Sequence, residues 1–261
     1  MKIQVLRKKG STLVFVLDGV TPAFANALRR IMISEVPTMA VEWVDFHKNS
    51  SILFDEVISH RLGLLPLSFD PSRFSMKEEC KCGGKGCALC EVVFAVDKKG
   101  PAMVYSGDLK SSNKAVKPTS PAFPIVELLA NQDLKFEARA ELGTGRQHAK
   151  WQAANAAYQY YPELEVSRDA KPAELTRAAS LCPRGVLQVK SGKLALKDPA
   201  GCDLCLVCEQ AGEGIKMRAN PGKFIFRVES ISGLSPADIA DQAAGILASK
   251  GEEFKKNAAK L

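Results

Sequence analysis

Residues 21–34, TPAFANALRRIMIS, are the stretch that decides the fold of this 261-residue chain. Thr21 is a favourable N-cap residue and Pro22 suits the first helical position, so a helix is predicted to begin here. Apolar side chains then recur at helical spacing and form one stripe: Phe24, Ala27, Leu28, Ile31 and Met32. The stripe needs a partner surface. Arg29 and Arg30 lie off the stripe, where they form either a solvated polar face or a docking face.

Strands are predicted on both sides of this helix. Residues 39–47 are typical of a strand in which Trp43 packs among aliphatic side chains, and the apolar run 61–66 stops at a proline. Further strands are predicted at residues 3–7, 12–17, 91–96, 134–142 and 223–229. Residues 111–124, rich in Ser, Lys and Pro, are predicted to form a loop. The sequence therefore predicts an α+β fold.

A second helix is predicted near the C-terminus. Ser235 is its N-cap, Pro236 its first residue and Asp238 an early acid that suits the positive end of the helix dipole. The helix extends to Phe254 and carries an apolar face composed of Ile239, Ala243, Ile246, Leu247 and Phe254. From the residues alone, this face either covers the chain's own sheet or binds a partner.

Composition indicates a folded protein with room for about two domains. Hydrophobic residues make up 46% and charged residues 25%, which are ordinary globular values. The net charge of +7 is scattered among 29 acidic residues, so direct sequence-specific DNA reading is not indicated. The beginning of the sequence lacks the apolar core of a signal peptide, and no run approaches the roughly 18 to 20 apolar residues of a membrane span. A cytoplasmic location is expected.

The first of two cysteine sets comprises Cys80, Cys82, Cys87 and Cys90. Their spacing lets four thiolates converge on one small ion, and the glycines among them permit the tight turn that this requires. Zinc is the favoured ion, in a structural role, because four thiolates leave no open coordination position. A metal-free or disulfide-bonded loop is the alternative.

The second set comprises Cys182, Cys202, Cys205 and Cys208. The C-x2-C-x2-C run resembles the first part of a bacterial ferredoxin motif, and Cys182, followed by Pro183, supplies a fourth ligand. A two-cluster ferredoxin would place its other four cysteines at Pro172, Leu175, Ala178 and Gly212. None is cysteine, so one [4Fe-4S] cluster is expected. Zinc on the same thiolates, or a three-iron cluster, are the alternatives.

Catalysis is not predicted for this chain. The three histidines, His47, His60 and His148, are far apart in sequence and no nucleophile accompanies them. No phosphate-binding glycine loop or clustered acidic motif for catalytic magnesium is visible either.

A family resemblance covers the stretch that begins with Asn26-Ala27-Leu28-Arg29-Arg30 and ends with Arg61-Leu62-Gly63-Leu64-Leu65-Pro66. Between these segments the matching positions are Ala40, Val44, Asn49, Ser51, Asp55, Glu56, Ile58 and Ser59. About forty residues in register closely resemble the alpha-like subunits of RNA polymerase, in the form found in the archaeal D subunit and its eukaryotic counterparts. Residues 143–153 resemble another segment of that family, a loop that contacts other subunits.

The resemblance implies an organisation in three parts. Residues 1–40 and 222–261 would form a discontinuous dimerisation domain, residues 41–168 a mostly β second domain, and residues 169–221 a ferredoxin-like iron–sulfur insert. Eukaryotic counterparts carry a zinc loop with spacing similar to that of residues 80–90, although many archaeal relatives lack it. The D subunit of some archaea carries an inserted ferredoxin-like domain, which the second cysteine set resembles.

The function implied is a non-catalytic assembly subunit of DNA-directed RNA polymerase. It would pair with the L subunit, neighbour the N and P subunits, and meet DNA only through the assembled enzyme. Asn26, Leu28, Arg29, Arg30 and Ile246 would serve subunit docking, including contacts with the large catalytic subunits. The cluster would act mainly as a staple for a small insert, with redox or oxygen sensing as the alternative. A ferredoxin-type electron carrier and a zinc-stabilised nucleic-acid-binding module are the rival functions.

Overall fold

The computed structural model describes residues 1–260, which form four α-helices and fourteen β-strands. The helices are α1 (Pro22–Ser34), α2 (Asp55–Gly63), α3 (Pro172–Leu181) and α4 (Pro236–Ala258). The strands are β1 (Lys2–Lys9), β2 (Thr12–Asp18), β3 (Thr38–Asn49), β4 (Leu67–Ser68), β5 (Glu91–Lys99), β6 (Ala102–Tyr105), β7 (Lys110–Ser111), β8 (Lys117–Pro118), β9 (Pro124–Leu128), β10 (Asp133–Gly143), β11 (Ala154–Val166), β12 (Leu187–Lys190), β13 (Lys193–Leu196) and β14 (Ile215–Ser230). The predicted α+β class is confirmed.

Both predicted helix starts are confirmed. The Thr21 hydroxyl accepts a hydrogen bond from the Phe24 N–H at 3.2 Å, and the Ser235 hydroxyl accepts one from the Asp238 N–H, also at 3.2 Å. Each cap satisfies a backbone donor that the first helical turn leaves free.

The chain divides into two compact units. The first contains Met1–Arg29 and Ala156–Arg227, and the second contains Arg30–Asn155 and the chain from Val228 onward. This grouping differs from the predicted division at residues 40, 168 and 221. The division into dimerisation halves concerns a partner and stays a prediction.

The first unit is built on a sheet of order β1-β2-β14-β11. Alternation along the strands gives the sheet two faces of different character. One face is aromatic: Phe15 stacks on Phe226 with ring centroids 5.1 Å apart, and Tyr158 meets Phe224 edge-on at 5.4 Å. The opposite face is aliphatic, with Val14, Val16 and Ile225 buried together.

The insert is the part of the first unit that lies between β11 and β14. Eight of its residues form a buried cluster together with Ile215 and Met217 from the start of β14; the eight are Leu175, Ala178, Val186, Leu187, Leu194, Cys202, Cys208 and Ala211. The insert therefore has more core of its own than its length led us to expect. The strand β14 begins at Ile215, within the residues 169–221 assigned to the insert, and passes without interruption into the sheet, so the boundary at residue 221 stays a prediction.

The second unit is built on a sheet of order β3-β10-β5-β7. One face is covered by a large apolar core that includes Ile58 and Leu62 from α2. The strand predicted at 39–47 is confirmed as β3, but the packing predicted for Trp43 is wrong. Its side chain is 61% exposed and lies opposite Arg139 in the β3–β10 register, on the face away from the core.

Residues 143–153 form a loop that is bound to its own unit. The Trp151 indole is buried and donates to the Glu141 carbonyl at 3.2 Å, while the Arg146 N–H donates to the Ser34 carbonyl at the end of α1 at 2.9 Å. A Cβ at Gly143 would lie 2.3 Å from the Trp151 ring, so only glycine fits there. The contact of this loop with other subunits stays a prediction.

Candidate metal centres and docking residues

The first cysteine set lies in the loop that leads into β5. Gly83, Gly84 and Gly86 all have positive φ angles, between 64° and 88°, which side chains other than glycine rarely adopt. These turns bring four sulfurs together so that all lie within 4.8 Å of one another. Glycine placement and cysteine spacing thus act as predicted, and the four side chains can hold one ion.

The sulfur separations suit a single ion of zinc's size. Cys80 Sγ lies 3.6 Å from Cys87 Sγ, and Cys82 Sγ lies 3.6 Å from Cys90 Sγ. Four thiolates about 2.3 Å from a tetrahedral zinc ion would stand about 3.8 Å from each other. All eight cysteines of the chain are free thiols, so the alternative of a disulfide in this loop is not observed.

Two thiols of this set differ in how readily they ionise. Burial raises the pKa of Cys82, but hydrogen bonds from the Cys80 and Cys90 thiols outweigh burial and lower that pKa to about 6. Burial is the main reason that the pKa of Cys90 is raised to about 12. Cys82 is therefore the more readily ionised of these two thiols. A bound dication is what would stabilise all four thiolates at neutral pH.

An ion-pair network that the sequence did not reveal fixes this loop to the sheet. Lys77 Nζ lies 2.8 Å from a Glu141 carboxylate oxygen on β10 and 3.4 Å from one of Glu91 on β5. All three side chains are largely buried, and the Glu141 contact is the main reason that the pKa of Lys77 is raised. The sequence offered no signal for this network because its members are fourteen and sixty-four residues apart.

The second cysteine set lies in the insert, on two separate segments. Cys182 follows the last residue of α3, Cys202 follows a 3-10 turn at Pro199–Gly201, and Cys208 lies in another 3-10 turn at Val207–Ala211. Cys205 is exposed between them. All four line one concavity, which is partly open to solvent. The distant Cys182 and the C-x2-C-x2-C run thus line the same concavity, while their role as ligands of one cluster stays a prediction.

The backbone of this second loop is wound unusually tightly. Leu204 and Leu206 have φ angles of 57° and 62°, although neither is glycine. Left-handed positions cost about 1 to 3 kcal/mol each for such residues and persist where the surroundings enforce them. They alternate with the cysteines at 202, 205 and 208, so the chain curls around the concavity.

The sulfurs of this set are spaced more widely than those of the first set. Unlike the sulfurs of the first set, these are not gathered within 4.8 Å of one another. Burial raises the pKa of both Cys202 and Cys208, so the site stabilises thiolates only when positive charge is bound. Four thiolates around an apolar concavity are the donor set that an iron–sulfur cluster requires.

The four missing ferredoxin positions have become ordinary structure. Pro172, Leu175 and Ala178 all lie in α3, where Leu175 and Ala178 are buried in the core of the insert. At Gly212, a Cβ would lie 2.7 Å from the Glu174 carboxylate. The helix α3, packed by apolar side chains, thus occupies the positions that would carry three of the ligands of a second cluster.

The predicted docking residues differ in accessibility. The Asn26 side-chain oxygen Oδ1 accepts hydrogen bonds from Arg29 Nε at 3.3 Å and from its Nη2 at 3.0 Å, which orients that guanidinium. Arg30 is exposed and Ile246 is half-buried. Leu28, however, is only 6% exposed and belongs to the chain's own core, so its side chain does not offer an open surface in the isolated chain.

The histidines have structural contacts. His148 Nδ1 accepts from the Lys150 N–H at 3.1 Å and caps a 3-10 turn, and His47 lies 4.0 Å from Glu137 on an exposed sheet face. Among the described residues, no helix is both long enough and apolar enough to cross a membrane.

Comparison with known proteins gives a consistent result. Residues 44–160 match the family described as the RNA polymerase Rpb3/RpoA insert domain. The chain is 43% identical over 259 residues to DNA-directed RNA polymerase subunit Rpo3 of Methanothermobacter thermautotrophicus, covering 97% of each. It is 38% identical over 264 residues to that of Methanosphaera stadtmanae, covering 97% of each. It is also 38% identical over 266 residues to that of Thermococcus kodakarensis, covering 100% of this chain and 99% of the relative.

Proposed function

The chain belongs to the Rpo3 family, the archaeal D subunits of DNA-directed RNA polymerase, and we propose that it is the non-catalytic assembly subunit that pairs with the L subunit. In this proposal the pair forms the platform on which the large catalytic subunits dock. The N and P subunits are further neighbours, DNA is met only through the assembled enzyme, and the complex is cytoplasmic.

The observation that carries the pairing proposal is the uncovered distal part of α4. This helix has 23 residues, but its buried ones, Pro236, Ile239 and Ala243, all lie in its first eight. Phe254 is 75% exposed, and Ile246 and Leu247 are only partly covered. Helices of this kind are usually stabilised by packing of an apolar face, so the distal half requires a partner surface.

A second uncovered element lies in the first unit. All residues of the edge strand β1 are exposed, among them Ile3 at 63% and Val5 at 57%. An exposed edge strand with apolar side chains invites pairing with another chain. It therefore supports a partner for the residues assigned to the first dimerisation half.

For the large subunits, we propose that Arg29 and Arg30 are the docking groups. Asn26 holds the Arg29 guanidinium in one orientation, which lowers the entropy lost on binding, and the neighbouring Arg30 is exposed.

For the metals, we propose one [4Fe-4S] cluster on Cys182, Cys202, Cys205 and Cys208, and one zinc ion on Cys80, Cys82, Cys87 and Cys90. A three-iron cluster is the variant form of the first. When bound, the cluster would join Cys182, at the end of α3, to the three cysteines of the loop 202–208 through metal–thiolate bonds. The residues of the chain hold it in the insert core, of which Cys202 and Cys208 are part. Its role is structural because metal ligation adds folding energy to a small domain.

Co-expression with the L subunit tests the pairing. We expect a one-to-one complex with that subunit, and self-association of the chain expressed alone. Ile246→Asp and Phe254→Asp should each weaken the complex by orders of magnitude, because a buried unpaired carboxylate costs several kcal/mol. Ala248→Asp is the matched control, since Ala248 is exposed and two residues from Ile246, hence on nearly the opposite side of the helix.

Size-exclusion chromatography with light scattering gives the result. Leu28→Asp is unsuitable as a test because Leu28 is buried within the chain, so loss of binding and loss of folding would coincide. A lone chain that stays monomeric and ignores the L subunit would overturn the proposal.

A further inference from the structure

We infer that Gln159 is a positioning residue for the iron–sulfur site, which it fixes to the sheet of the first unit. The inference rests on the proposed cluster at the second cysteine set. It concerns a residue outside the insert, on β11, with no ligand atom for the cluster.

The contact is made by a single side-chain amide. Gln159 Nε2 donates to the Cys202 carbonyl at 3.0 Å and to the Pro199 carbonyl at 3.4 Å. A side-chain amide nitrogen has two N–H groups, so both bonds are available to it at once. One side chain of the sheet thus holds both ends of the short turn that delivers Cys202 to the site.

The turn itself has little freedom to compensate. The Cys202 N–H already donates to the Pro199 carbonyl at 3.3 Å, and the Asp198 carboxylate accepts from the Ala200 N–H at 3.1 Å. A Cβ at Gly201 would lie 2.8 Å from that carboxylate, so the turn is closely packed. If the contact with Gln159 shifts, Cys202 therefore moves together with the whole turn.

Apolar packing reinforces the same connection. Ala200, at the tip of the turn, packs against the aliphatic face of the sheet, where Val14, Val16 and Ile225 are buried. These residues come from β2 and β14, whereas Gln159 comes from β11. The turn thus contacts three of the four strands, so the cysteine loop and the sheet form one packed body.

Thermodynamic coupling follows from this arrangement. A cluster that orders residues 198–203 also orders their contacts on β11, β2 and β14, and an ordered sheet presents Cys202 in position for the cluster. Coupling of this kind is reciprocal. Gln159 provides the polar contacts between the cysteine loop and the sheet. Its removal should weaken both the effect of the cluster on the order of the sheet and the effect of the sheet on cluster binding.

The test uses the full chain, co-expressed with the L subunit and purified anaerobically. Gln159→Leu removes both donors and keeps the approximate size of the side chain. Gln159→Asn is the milder variant: it keeps the amide but shortens its reach. Gln152→Leu is the matched control, because the Gln152 amide donates only to nearby groups, the Ala154 carbonyl and the Asn155 side chain.

The first readout is the rate at which visible iron–sulfur absorption bleaches in excess chelator. We expect Gln159→Leu to bleach roughly ten times faster than the wild type, as the loss of both hydrogen bonds implies. Gln159→Asn should fall between the two, and Gln152→Leu should match the wild type.

The second readout separates positioning from general stability. Hydrogen exchange is compared between the iron-loaded and the iron-stripped chain at β2, β11 and β14. In the wild type, stripping should accelerate exchange in all three strands. In Gln159→Leu the iron-loaded and stripped chains should differ much less, because the connection has been cut.

The outcomes distinguish this inference from the proposal beneath it. A wild-type chain that holds no iron would overturn the proposed cluster and the inference together. Iron in the wild type with unchanged bleaching and unchanged coupling in both Gln159 variants would overturn the inference alone.

Discussion

The Arg184 guanidinium and the Asp203 carboxylate form an ion pair, with Nε 3.0 Å from Oδ2. Arg184 lies two residues after Cys182, and Asp203 lies directly after Cys202, so the pair connects the two segments that carry the second cysteine set. Both side chains are substantially exposed, and solvent screens such a pair, so it contributes little to stability. It can guide the two segments together but cannot replace a covalent link through a cluster.

Cys182→Ser should therefore behave as the loss of a cluster ligand. We expect it to lose the full [4Fe-4S] absorption and part of its iron, even though the Arg184–Asp203 pair remains. Arg184→Gln is the control: it keeps four thiolates and should keep its iron. A complete [4Fe-4S] spectrum in the Cys182 variant would mean that this residue is not the fourth ligand.

Iron and zinc should separate by site. Cys202→Ser or Cys208→Ser should abolish iron–sulfur absorption and leave zinc in place, whereas Cys87→Ser or Cys90→Ser should do the reverse. Metal analysis of each variant after anaerobic purification gives the result. Iron for two clusters per chain would contradict the single-cluster interpretation, in which α3 occupies the place of the second.

Lys77→Met should loosen the first cysteine loop. The change leaves Glu91 and Glu141 largely buried without their cation, which should destabilise the chain by about 1 to 3 kcal/mol in urea unfolding and speed zinc release to a chelator. Lys85→Met, an exposed lysine of the same loop, is the control and should change little.

The pH dependence of this network has a definite sign. The pKa of Lys77 is raised above its ordinary value of 10.5, chiefly by the hydrogen bond to Glu141. Its contribution is therefore complete below pH 10.5 and is lost as the pH rises through the higher, folded-state pKa. The stability difference between wild type and Lys77→Met should shrink in that alkaline range and stay constant near neutrality.

Asp108→Asn should reduce the loss of folding stability that accompanies a fall in pH. Burial raises the pKa of Asp108, but the Lys98 ammonium and the Tyr105 N–H outweigh burial and lower it below 3.8. The carboxylate thus stabilises the fold above pH 3.8, and this contribution is lost as the pH falls through the folded-state pKa.

We expect Asp108→Asn to cost about 1 to 2 kcal/mol at pH 7 and less near pH 3, measured by urea unfolding. Asp97→Asn is the control because its ion pair with Lys135 is more exposed. An equal loss at both pH values would show that the charge of Asp108 is not the cause.

Local signals in the sequence predicted the elements whose causes are local. The caps at Thr21 and Ser235 and the glycines of the first cysteine loop act within a few residues, so their effect was visible in the sequence. Cys182, which lies twenty residues before Cys202, was joined to the C-x2-C-x2-C run through a motif resemblance, and its role as a ligand stays a prediction.

Features that depend on distant contacts were not predictable in the same way. Trp43 is a large aromatic residue of the kind that usually packs within a sheet, yet its burial depends on which face of β3 meets the core. Leu28 appeared available for a partner because the sequence does not show that the chain covers this residue itself. Gln159 and Lys77 are common polar residues whose partners lie tens of residues away.

The ends of the insert lie side by side, because the Ser167 N–H donates to the Gly214 carbonyl at 2.8 Å. The insert thus connects the adjacent ends of β11 and β14, two neighbouring strands that a tight turn could also connect. Evolution could shorten or lengthen this insert without altering the strand order of the sheet. A lineage that discards it must, however, find another cover for Val14, Val16 and Ile225, which would otherwise lose the Ala200 contact.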